Sequence, residues 1–116
     1  MNIRKILDLL EECNEEATVS CIIQSQKDGS LFFTKVLRTK IENNLVDIVV
    51  RNLKDKGITV KKLKNELGQY KASLPVFIKE DRLKPIRFPY EIIGVENNGD
   101  IVLLKLPTLM GDLYKQ

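Results

Sequence analysis

The side chains best placed by type and spacing to do chemistry are cationic. Eleven of the nineteen Lys and Arg residues lie between Arg51 and Arg87, against four acids, Asp55, Glu66, Glu80 and Asp81. That stretch carries +7, the remainder −4, and the chain +3. Concentrated positive charge attracts phosphates and binds nucleic acid without regard to sequence, through counterion release. Lys61, Lys62 and Lys64 sit away from the apolar positions of one helical turn, so all three can face a partner. Lys71, Arg82, Lys84 and Arg87 extend the patch, and Tyr70 beside them offers a ring to a sugar or a base. These eight residues are the candidate nucleic-acid contacts.

Other chemistries lack their residues. There is no histidine, which excludes His-based acid–base catalysis, Ser-His-Asp triads and Cys-His dyads. The six glycines are isolated and form no phosphate-cradling loop. No Glu-x-Lys or Asp-x-Lys pair of the metal-dependent nuclease kind occurs. Nothing specifies a two-carboxylate site drawn from Glu42, Asp47 or Glu91. Two cysteines without histidine cannot build a four-ligand zinc site. Cys13 and Cys21 read as reduced thiols, Cys21 as a small core residue. A non-enzymatic protein with no cofactor and no metal is expected.

A chain of 116 residues, 43% hydrophobic and 30% charged, fits one domain over residues 1–116 with its own core. No apolar run approaches the roughly 18 residues of a membrane span. The first residues are too briefly apolar for a signal peptide, and Glu11 and Glu12 follow where small residues would be needed. A cytoplasmic protein without membrane contact is the expectation.

The elements that must position the cations follow from periodicity. Ile3, Ile6, Leu7 and Leu10 mark a helix over 2–16, capped by Asn2. Its far half is acidic, with Glu11, Glu12, Glu15 and Glu16, which suits either solvent or the basic stretch. Val19, Cys21 and Ile23 alternate as a strand, Lys27 to Ser30 turn, and Leu31 to Leu37 return. Ile41, Leu45, Ile48, Val49 and Leu53 predict a main helix over 40–56, stopped by Gly57. Thr59 caps a short helix over 59–67. Pro75 to Ile78 favour a strand, because the residue before a proline prefers extended backbone. A polar connector follows over 79–89. Tyr90 to Val95 and Ile101 to Leu106 form a hairpin around Asn98-Gly99, and Leu109, Met110, Leu113 and Tyr114 predict a last helical turn.

Over residues 41–74 this succession of long helix, Gly57, Thr59 and short helix resembles the first part of a helix-turn-helix. Pro75 interrupts the stretch where its recognition helix would lie. The fold expected is α+β: two antiparallel hairpins in a sheet, with an N-terminal helix and a central helix pair packed on it. The function expected is nucleic-acid binding, to DNA, in an accessory or regulatory role through the basic central segment. The alternative is a protein-interaction module that docks on an acidic protein partner. Self-association as a homodimer, acidic pole to basic pole, is a further option.

Overall fold

The computed structural model describes residues 1–24, 29–52, 54, 56–81 and 90–107. They form helix α1 (Ile3–Leu10), strands β1 (Thr18–Gln24), β2 (Leu31–Glu42) and β3 (Leu45–Arg51), helix α2 (Val60–Leu67), and strands β4 (Val76–Glu80), β5 (Tyr90–Glu91), β6 (Gly94–Asn98) and β7 (Ile101–Lys105). The seven strands make one mixed sheet in the order β5-β4-β3-β2-β1-β7-β6, curled into a half-barrel. No described helix is long and apolar enough to cross a membrane.

The expected central helix pair is not there. The described residues among 40–56 are not helical: residues 40–42 complete the 12-residue β2, Asn43-Asn44 turn, and Leu45–Arg51 return as β3. Both asparagines hold positive φ, 52° and 63°. That is the two-residue turn whose twist matches a hairpin, and asparagine tolerates it. Val46, Ile48, Val49 and Val50 are β-branched, so their stiff side chains fit the pleat better than a helical turn. Val46 to Val50 are buried on both faces of the sheet. With β3 a strand, the helix-turn-helix resemblance falls.

Gly57 has a different task from the expected helix stop. A Cβ there would lie 2.8 Å from the Val36 carbonyl oxygen and 2.9 Å from the Lys35 Cβ. The chain can therefore press onto β2 only as glycine. It does so beside the bulge between Val36 and Arg38, and Ile58 N–H donates to the Val36 carbonyl at 3.0 Å.

The second expected hairpin also divides. Tyr90 and Glu91 pair with β4 at one edge of the sheet, whereas Gly94–Asn98 pair with β7 at the other. Only Ile92 and Ile93 lie between, and Ile93 N–H already donates to the Lys105 carbonyl at 2.8 Å. Two residues span at most about 10 Å, so the sheet must curl until its edges approach at that end.

Register assigns the faces. Val19, Cys21 and Ile23 share one face with Val36, Val50, Ile48, Val102, Leu104 and Ile78. That inner face forms the core with Ile3, Ile6 and Leu10 of α1 and Val60, Leu63 and Leu67 of α2. Asn2 caps α1, and Thr59 caps α2, as the residue types predict. The start of α1 is fastened to the entry of β4: Ile3 N–H donates to the Leu74 carbonyl and Val76 N–H to the Met1 carbonyl. The β3–α2–β4 crossover makes β3 and β4 parallel. The last helical turn expected after Pro107 lies outside the described residues.

Candidate nucleic-acid interface

Helix α2 packs its apolar stripe on β1 and β2, so its other side faces away from the sheet. Lys61 and Lys62 are exposed there. Lys64 is not available in the same way. Its Nζ lies 3.0 Å from Glu11 Oε1 and 3.6 Å from Glu15 Oε1, and its side chain is only 18% exposed. The hydrogen bond to Glu11 is the main reason its pKa is raised. The helix expected over 2–16 ends at Leu10, and the acids just beyond it, Glu11 and Glu15, are thus internal counterions for one lysine of the basic stretch.

Tyr70 is also engaged within the fold. Its hydroxyl is 3.0 Å from Thr39 Oγ1, and its ring packs against the core. Glu66 Oε1 accepts from the Thr39 N–H at 2.9 Å and from Thr39 Oγ1 at 3.1 Å. Strand β2 outruns β1 at Thr39, so Glu66 replaces the missing strand partner. Lys71 is exposed beyond the end of α2. Arg82, Lys84 and Arg87 lie outside the described residues.

The N-terminus of α2 offers no anion site. Val60 N–H donates to the Ala17 carbonyl, Lys61 N–H to the Glu15 carbonyl and Lys62 N–H to Thr59 Oγ1. The lysines nearby remain open. Lys56 and Lys62 line one shallow depression of about 400 Å³, floored by Val36, Gly57 and Ile58. Arg51 and Lys54 are exposed along the chain leading into it. Among the described residues, no carboxylate lies within ion-pair distance of Arg51, Lys54, Lys56, Lys61, Lys62 or Lys71.

The outer face of the sheet holds a second group of charges. Lys40 opposes Asp47, Asp47 opposes Phe77, and Phe77 opposes Glu91. Lys40 Nζ and Lys79 Nζ lie 3.6 and 3.7 Å from Glu42 Oε2. Arg38 Nη1 lies 3.9 Å from Asp81 Oδ2. Asp47 is 5% exposed, and burial raises its pKa against the pull of Lys79 and Lys40. Glu42, Asp47 and Glu91 therefore share a face, but lysines stand among them. No group of three acid or cysteine side chains suited to a metal ion occurs among the described residues. Cys13 and Cys21 are free thiols, and burial pushes Cys21 up to about 12, so neither is a prepared nucleophile.

Composition pointed to Lys61, Lys62 and Lys71 but missed Lys35 and Arg51 as a facing pair on β2 and β3. The signal was the Asn43-Asn44 turn, which brings them opposite once β3 is recognised. Comparison with protein families, curated proteins and solved structures gives no match.

Proposed function

We propose that the chain is a small non-enzymatic nucleic-acid-binding protein, acting on DNA in an accessory or regulatory role. One observation carries the reading. Arg51, Lys54, Lys56, Lys61 and Lys62 follow one another around the β3–α2 connection, exposed and without a described carboxylate partner, whereas Arg38, Lys40, Lys64 and Lys79 are paired. Unpaired cations on a short path are what phosphates displace counterions to reach. Among the described residues β4, not a recognition helix, follows α2, so the reading is of binding indifferent to sequence.

The test is fluorescence anisotropy of labelled DNA over a range of salt. Five phosphate contacts predict a log–log salt slope of up to roughly −4. The triple variant Lys54→Glu, Lys56→Glu, Lys62→Glu should lose at least about tenfold in affinity with its unfolding midpoint unchanged. Absence of binding at low salt, or affinity that ignores salt, would defeat the reading in favour of a protein-only partner.

A further inference from the structure

We propose that the outer face of the sheet around Phe33 is a base-stacking platform for single-stranded nucleic acid. This rests on the nucleic-acid reading above and names the form of its ligand.

Phe33 lies on β2, in the interior of the sheet order, and is 45% exposed on the face away from both helices. Ile22 opposes it directly on β1 and is 40% exposed. On the same face, two residues along the strand, is Lys35, and Arg51 faces Lys35 across β3. Lys105 stands exposed on the same face of β7. Neighbouring strands are about 4.8 Å apart, so these cations ring the phenyl group within about two strand spacings. The described carboxylates near this patch are Asp81, which follows Glu80 beside the end of β3 and lies 3.9 Å from Arg38, and Glu96, out on the edge strand β6.

The surroundings decide the class of occupant. An apolar patch made for a protein helix or strand is usually rimmed by charges of both signs. Here Lys35, Arg51 and Lys105 outnumber Asp81, which Arg38 already engages, so the rim is net cationic and complements a polyanion. An exposed ring within a cationic rim is the arrangement on which unpaired bases stack while their phosphates meet Lys and Arg. A duplex keeps its base faces covered and cannot use the ring. Arg51 belongs both to this rim and to the basic path through Lys54 and Lys56, so one strand can follow both.

The chain has no tryptophan, so Phe33→Trp supplies a unique fluorophore at the platform. The probes are oligothymidylate of about 15 nucleotides, within the span of small single-strand sites, and a duplex of the same length. Stacking predicts quenching of the Phe33→Trp emission by the oligothymidylate. It also predicts that Phe33→Ala weakens oligothymidylate binding about tenfold and leaves duplex binding unchanged. If Phe33→Ala binds both probes as the parent does, the platform is wrong and the basic path stands. If the parent binds neither probe, both readings fail together. If light scattering finds a dimer that Phe33→Asp splits, the face is a self-interface and the inference is overturned.

Discussion

The two faces of the same sheet are built on opposite rules. The inner face is closed and almost wholly apolar: Val19, Val36, Val46, Ile48, Val50, Val76, Ile78 and Val102 show no measurable exposure, and the hydroxyl of the buried Thr34 donates to the Cys21 carbonyl at 2.7 Å. The outer face mixes exposed Ile22, Leu31 and Phe33 with Lys35, Arg38, Lys40 and Arg51, and buries the carboxylate of Asp47. The first face holds the core, and the second presents rings and charges on the outside of the sheet. The helices enforce the division, because both lie on the inner side. It follows that the outer face can vary in charge and ring content without loss of the core.

The largest expected effect separates the faces directly. Ile48→Ala empties a fully buried inner position and should cost about 2–5 kcal/mol in urea unfolding. Phe33→Ala, half-exposed on the outer face, should cost less than about 1 kcal/mol. Equal losses from the two would mean that something in the chain covers the outer ring, and the contrast between the faces would collapse.

That contrast is only partly legible in sequence. The caps at Asn2 and Thr59, the apolar stripes of both helices and the β1–β2 pairing follow from local residue types. The failure at 40–56 has a clear cause. Ile41, Leu45, Ile48, Val49 and Leu53 match a helical stripe, but Val46 and Val50 lie outside it, because a strand buried on both faces shows no period-2 alternation. The deciding information was the pair Asn43-Asn44, read as helix interior although asparagine is a poor helix former and a good mirror-turn residue. Gly57 misled in the same way: its close approach to Val36 is a tertiary fact with no local mark. The division of the last hairpin was hidden because Tyr90 and Val95, five residues apart, serve opposite edges of a curled sheet. Among the candidate contacts, charge alone could not distinguish Lys62 from Lys64, since the partner acids come from the segment that follows α1.

The outer face also contains a cost that substitution should relieve. Burial raises the Asp47 pKa above its ordinary value of 3.8, and Lys79 and Lys40 offset this only in part. Between the unfolded and folded values the folded state holds more protons, so stability falls as pH rises through that window. At neutral pH the ionised carboxylate is a net burden. Asp47→Asn should therefore raise the melting temperature at pH 7, with an advantage that shrinks as pH falls through the window. A variant less stable than the parent at pH 7 would show that the two lysines outweigh burial and that this half of the face is held by charge.

The smallest effect distinguishes two lysines of one helix. Lys64 lies against Glu11 and Glu15, whereas Lys62 is exposed beside Lys56. Lys64→Met should lose about 0.5–1 kcal/mol, a partly exposed ion pair being worth no more, and the loss should fade in high salt. The raised Lys64 pKa sets the pH sense: its contribution is complete below the ordinary value of 10.5 and disappears as pH rises through the higher folded value. Lys62→Met should leave stability within about 0.5 kcal/mol of the parent. Binding reverses the order. Lys62→Met removes an unpaired cation and should reduce the magnitude of the salt slope by about 1, while Lys64→Met should leave the slope unchanged. If Lys64→Met instead flattens the slope, Lys64 leaves its carboxylates to meet phosphate. Glu11 and Glu15 would then be competitors that nucleic acid displaces, not a fixed brace from the segment after α1 onto α2.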